Sequence, residues 1–136
     1  MKISTFILCN SIENTQSAQG TSVPCLVGPQ VILRPDYIPT NFSFGFSIGI
    51  TGMNLKQDNT FSFLVKSPEG EPIMNSNISR VPANPVDDSV PEEYSGILVT
   101  TDVRNMVVDK EGVYSLEFYV NDNLIGKQDI PIFKRR

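Results

Sequence analysis

The side chains best suited to acid–base chemistry sit in one acidic stretch. Asp87 and Asp88, then Glu92 and Glu93, form two adjacent carboxylate pairs within Val81–Glu93, beside Pro82, Pro85 and Pro91 and with no Lys or Arg. Paired carboxylates serve as acid and base when their surroundings push their pKa values apart. These pairs lack the apolar cover that would do so, and they read as solvated charge. Calcium needs about six or more oxygens from a shaped loop, and neither Asp87–Glu93 nor Asn121-Asp122-Asn123 has that form. The chain has no His, which removes Ser-His-Asp and Cys-His pairs and every His-ligated zinc or haem site. Its two Cys are too few for an all-cysteine cluster. Neither Gly-x-Gly-x-x-Gly nor Gly-x-x-x-x-Gly-Lys-Ser/Thr occurs, so no phosphate cradle is signalled. We assign no catalytic residue, no metal and no cofactor, and expect a protein that is not an enzyme.

Charge and composition bound the partners. The 136 residues carry 15 Asp+Glu against 11 Lys+Arg, a formal charge of −4. The one basic cluster, Lys134-Arg135-Arg136, reads as a solubilising tail, because nucleic-acid binding asks for a basic stripe with stacking aromatics. Tyr37, Tyr94 and Tyr119 can offer a carbohydrate platform, although the chain has no Trp. The start, Met1-Lys2-Ile3 to Leu8-Cys9, looks like the opening of an export signal, but Asn10 cuts its apolar run short. No run approaches the ~18 apolar residues of a membrane span. The expectation is a cytoplasmic protein that binds neither membrane nor nucleic acid. Cys9 and Cys25 are then free thiols, with a loop-closing disulfide as the oxidised alternative.

The elements that must position any site are strands. Phe42, Phe44, Phe46, Ile48 and Ile50 alternate with Ser43, Gly45, Ser47, Gly49 and Thr51, a period of two that a helix cannot bury on one side. Phe61, Phe63 and Val65 repeat the pattern, and Ser67-Pro68-Glu69-Gly70 makes a turn into a returning strand over Glu71–Arg80. Tyr114, Leu116, Phe118 and Val120 share a face, and Asn121-Asp122-Asn123 predicts a hairpin to Leu124–Phe133. Further strands are expected at Ile3–Cys9, Ser22–Leu33 and Tyr94–Val103, with Asn10–Gly20 a flexible loop and Arg104–Gly112 a loop or short helical turn. The expected core is Ile3, Phe6, Leu8, Phe42, Phe44, Phe46, Ile48, Ile50, Phe61, Phe63, Val65, Val99, Tyr114, Leu116, Phe118, Val120 and Ile130. Simple alternation sets Ile3 on the opposite face from Phe6 and Leu8, so one of these assignments should fail.

Asp109-Lys110-Glu111-Gly112-Val113-Tyr114 resembles the Gly-x-Tyr entry to a strand in immunoglobulin-like sandwiches, where the Tyr ring packs inward and its hydroxyl bonds back across the corner. The fuller pattern has Asp two residues before the Gly, where this chain has Lys110. Four pieces taken together extend the likeness: Met1-Lys2-Ile3 to Leu8-Cys9, Leu26-Val27-Gly28 to Ile38-Pro39, Ile97 to Val108, and Gly112-Val113-Tyr114 to Asn123-Leu124-Ile125-Gly126. Their order and spacing resemble a family of small bacterial cytosolic proteins of uncharacterised function. The resemblance implies a β-sandwich, treats Val81–Glu93 as an insertion, and transfers no site. Residues 1–136 are therefore expected to form one all-β domain, an antiparallel immunoglobulin-like β-sandwich of about seven to nine strands.

Two features point to binding. Ser43, Gly45, Ser47, Gly49 and Thr51 make a strand face with almost no side-chain volume, and Gly inside a strand marks close approach by something. That something is a second protomer, a ligand or another backbone; otherwise bulky neighbours in the same sheet cover the glycines. The long acidic loop with Asp87, Asp88, Glu92 and Glu93 is either a contact for a basic partner surface or a solvated insertion. The expected function is a protein-interaction module using a sheet edge, the small-residue face or the acidic loop, its partner another protein or a second copy. The alternative is a small-molecule or carbohydrate binder at one end of the sandwich, which a pocket near Tyr37 or Tyr94 would favour.

Overall fold

The computed structural model describes residues 1–83 and 89–136. Nine strands and one 3-10 turn lie among them. In chain order they are β1 (Lys2–Gln16), β2 (Ser22–Gln30), β3 (Thr40–Thr51), β4 (Asn59–Lys66), β5 (Pro72–Asn75), β6 (Ser79–Val81), the turn Glu92–Tyr94, β7 (Gly96–Val108), β8 (Gly112–Val120) and β9 (Asn123–Ile132). One sheet has the order β2-β1-β3-β7 and the other β5-β4-β8-β9, with β6 continuing the β5 edge of β4. All strand pairings within both sheets are antiparallel. The molecule is an all-β sandwich. No helix among the described residues is long and apolar enough to cross a membrane.

The core follows from the alternation. Phe44, Phe46, Ile48 and Ile50 of β3 are buried against Tyr114, Leu116, Phe118 and Val120 of β8 and Val65 of β4, with Phe46 meeting the Phe63 ring edge-on at 5.2 Å. Burying such side chains contributes roughly 1.5–3 kcal/mol each. Each expected core residue is buried or packs against the buried cluster, Ile3 included. The anticipated conflict over Ile3 is resolved by a register shift between Ile3 and Thr5. The bulge lets Ile3 pair with Ile50, Phe6 with Ile48 and Leu8 with Phe46, so all three face inward.

Turn chemistry sets the connections. Asn121 and Asp122 have φ of 50° and 64°, the left-handed pair that a two-residue hairpin needs between Val120 and Asn123. Asn121 also accepts from the Thr60 N–H at 2.9 Å and donates to buried Asn59 at 2.9 Å. Asn59 donates in turn to the carbonyls of Asn54 and Gln57, which ties the β3–β4 loop to the β8–β9 hairpin. Tyr114 is buried and its hydroxyl donates to the Lys110 carbonyl at 2.8 Å, so the corner closes without the Asp of the fuller pattern.

Three segments depart from expectation. Asn10–Gln16 is strand, because β2 pairs with it from Cys9↔Pro29 to Gln16↔Ser22. The returning strand over Glu71–Arg80 is split into β5 and β6. Between them Ser76 bonds Phe63 through both its N–H and its hydroxyl, substituting for the ladder while Asn77 and Ile78 leave it. Arg104–Val108 extends β7: Arg104 and Asn105 together oppose Ser43, with Asn105 at φ 55°.

Gly96 is the position at which a glycine permits close backbone approach. A Cβ there would collide with the Ile50 carbonyl oxygen and lie 2.7 Å from its carbon and 3.0 Å from Thr51 Cα. Backbone in a paired strand cannot yield as a side chain does. We therefore expect Gly96→Ala to cost about 3 kcal/mol, the upper range for overpacking. Urea unfolding of the two proteins measures this, and a loss near zero would contradict the close approach.

Candidate functional site

The small-residue face is occupied by the protein's own side chains. A Cβ on Gly45 would stand 2.9 Å from Cys9 Sγ and 2.9 Å from Ile12 Cγ1, and one on Gly49 would stand 2.8 Å from Thr5 Cγ2. Ser47 is buried, its hydroxyl 3.1 Å from that of Thr100. Ser43 accepts from the Asn105 N–H at 3.0 Å and so closes the β7 bulge. Thr51 is half-buried and its hydroxyl oxygen, inaccessible, makes no hydrogen bond among the described residues. The room expected for a partner is taken over Gly49 by Thr5 and Ser4 of the paired part of β1, and over Gly45 because β1 leaves β3 after Cys9. The β1–β2 hairpin then curls across the sheet, held by the Ile12 N–H donating to Asp102 Oδ1 at 3.2 Å. Of the readings the sequence left open, the geometry is that of cover by neighbouring side chains.

Of the acidic candidates, Asp87 and Asp88 lie outside the described residues. Glu92 and Glu93 are exposed in the 3-10 turn that leads into Gly96, opposite Thr51. No group of three or more His, Cys, Asp or Glu suited to a metal ion exists among the described residues. Among the described residues, the carboxyl groups that their surroundings clearly perturb all move downward. The Ala83 N–H and Arg80 lower Asp58, Lys110 lowers Glu69, and Arg136 lowers Glu111. A carboxyl group acting as a general acid near neutral pH needs the opposite shift.

Among the described residues Glu117 is the carboxylate with the most developed surroundings, and alternation alone gives no sign of it. It is buried on the outer side of β8, accepts from the Tyr119 hydroxyl at 2.7 Å, and pairs with Lys66 at 2.9 Å and Lys127 at 3.5 Å. The Tyr119 hydroxyl and the Lys66 ammonium hold its carboxyl below the ordinary range. Its three partners stand on β4, β8 and β9, so it joins three strands of one sheet.

One opening lies at the side of the sandwich. β2 pairs with β1 only from Leu8 onward, so Lys2–Ile7 has β3 on one edge and no strand on the other among the described residues. The β9 edge lies opposite in the second sheet, with Ile3 packed over Gly126. Pro29, Gln30 and Val31 close one end as the chain crosses between sheets. There Leu33 donates to Pro131 O at 2.9 Å and accepts from the Phe133 N–H at 3.1 Å. These boundaries form an open cleft of about 490 Å³ lined mostly by apolar side chains, Phe6, Ile7, Leu8, Val31 and Pro131 among them, together with Asp129 and Gln30. Val31 is 84% exposed and Ile7 42%. Sequence reasoning named a sheet edge without locating it. The two prolines of β2, at 24 and 29, were the available signal that this strand is an edge that stops early.

No family model matches the chain, and no curated protein matches it significantly.

The Glu117 network gives a pH prediction. Its folded pKa is depressed, so its stabilisation is present above the unfolded value of about 4.3 and is lost as pH falls through the folded pKa. Glu117→Gln should cost about 1–2 kcal/mol at pH 7. In urea titrations from pH 7 to pH 2 the gap between the two proteins should close below about pH 4. A gap that stays constant to the acid end would contradict the assignment.

Proposed function

We propose that the chain is a non-enzymatic protein-interaction module that receives an extended segment of a protein partner, or of a second copy, at the open side of the sandwich. The observation that carries this reading is the unpaired edge of Lys2–Ile7 running beside the apolar cleft of Phe6, Ile7, Leu8, Val31 and Pro131. An unpaired strand offers main-chain donors and acceptors to an incoming strand, and an adjoining apolar cleft takes alternate side chains. The cleft gives affinity to a strand that the edge alone holds in register. We read the sandwich as immunoglobulin-like, a reading supported by the Tyr114 corner and by the way β1, β3 and β7 lie in one sheet and β4, β8 and β9 in the other. We place its action in the cytosol. Cys9 and Cys25 are both free thiols, the state that a reducing compartment maintains.

Selection from a displayed library of random peptides tests the edge directly. The expected ligands alternate apolar and polar residues over five or so positions. Val31→Asp and Ile7→Lys should each weaken them at least about tenfold, or 1.4 kcal/mol, with melting temperatures unchanged because both side chains are exposed. Light scattering after size exclusion on the same proteins reads the self-association branch. Undiminished binding and assembly in both folded variants would remove the edge as the site.

A further inference from the structure

A second concavity lies at one end of the sandwich, where it shares Gln30 with the cleft of the open edge, and its chemistry differs. It is about 290 Å³ in volume and brings together Asn10, Gln30, Arg34, Tyr37, Phe42 and Arg135. These residues come from β1, β2, the β2–β3 connection, β3 and the segment after β9.

The main chain holds the two arginine-bearing segments side by side. Arg34 donates from Nε to the Phe133 carbonyl at 2.8 Å and from Nη2 to the Lys134 carbonyl at 2.9 Å. The Arg135 N–H donates to the Pro35 carbonyl at 2.8 Å. The guanidinium of Arg34 is thereby fixed, while its Nη1 has no hydrogen bond among the described residues. Arg135 pairs with Asp36 at 3.4 Å, and both side chains are largely exposed, so the pair is weak and its guanidinium can be recruited. Gln30 donates from Nε2 to Asn10 Oδ1 at 2.6 Å, which orients both amides on the opposite wall.

Charge decides the class of occupant. Two arginines against one aspartate leave the concavity at +1 (2 − 1) in a chain of net −4. Planar guanidinium groups match the oxygens of carboxylate and phosphate. Tyr37, 69% exposed, and half-buried Phe42 add apolar surface for the body of a ligand. The volume is at the small end of ligand pockets, about 300 Å³, and admits something the size of a monosaccharide. We propose that this concavity binds a small oxyanion, a carboxylate or phosphate carried on a compact polar body. Arg34 and Arg135 face the anion, and Tyr37 meets the ligand's body.

Amide chemical-shift titrations with glucuronate, glucose and inorganic phosphate test the proposal on the full chain. Glucuronate or phosphate, or both, should bind in the millimolar range and shift the amides of Arg34–Tyr37 and Arg135. Glucose should bind at least about tenfold more weakly. The tighter of the two anions assigns the source of the oxyanion. Arg135→Ala and Tyr37→Ala alter exposed side chains, and the amide spectrum reports whether each stays folded. The first should lose about tenfold in anion affinity, and the second should lose glucuronate more than phosphate. Silence toward both anions, glucose binding as tightly as glucuronate, or unchanged anion affinity in folded Arg135→Ala would each overturn it. The edge variant Ile7→Lys, at a residue that does not line this concavity, should keep its anion affinity, which keeps the two sites separable.

Discussion

The structure depends on a single constraint in β3: one face carries four buried large apolar side chains and the other has almost no volume. The apolar face fixes register, because a slip of one residue would move Phe44, Phe46, Ile48 and Ile50 into the outer layer. The empty face decides what lies above the sheet. Side chains of β1 lean over Gly45 and Gly49, and the β1–β2 hairpin can curl inward over Gly45 instead of continuing flat. The same glycines that weaken β3 as an isolated strand therefore allow two layers of side chain to close the outer surface of its sheet.

That curl has a consequence at the opposite end of β1. By pairing with β2 only from Leu8 onward, the strand keeps its first residues alongside β3 but leaves their outer edge open. The other edges are interrupted in ways that discourage added strands. β2 carries Pro24 and Pro29, the β5–β6 edge breaks at Ser76, β7 bulges at Asn105, and β9 bulges at Ile125 and carries Pro131. Lys2–Ile7 has its bulge too, but that bulge turns Ile3 into the core and leaves Ile7 at the surface beside an apolar cleft.

Legibility in the sequence follows the range of the interaction. The alternation of β3, β4 and β8, the Asn121-Asp122 turn and the Tyr114 corner are local signals, and each corresponds to an observed element. Gly45 and Gly49 showed that something approaches closely, but a glycine does not name its neighbour. The neighbours, Thr5, Cys9 and Ile12, lie more than thirty residues away in the chain. The Ile3 bulge escaped because strict alternation has no means of inserting one residue. Asn10–Gln16 looked like a loop because an edge hairpin that covers little core needs few apolar residues to form. Glu117 looked like any outward-facing charge until two other strands brought Lys66 and Lys127 to it.

The concavity at the sandwich end is the extreme of this rule. Arg34 meets the carbonyls of Phe133 and Lys134 across 99 and 100 residues, so no local pattern announces the pair of arginines. Read locally, Lys134-Arg135-Arg136 is only a basic tail. Folding divides it: Arg135 is drawn to the concavity by its main-chain bond to Pro35, while Arg136 pairs with Glu111. The two openings thus differ in what they present. The edge offers main-chain groups and apolar surface, which suit an extended polypeptide. The end offers fixed guanidinium and amide groups, which suit a small anion. The two openings meet at Gln30, which lines both, so their contrast in chemistry comes from the side chains around it: Ile7, Val31 and Pro131 on one side, Arg34, Tyr37 and Arg135 on the other.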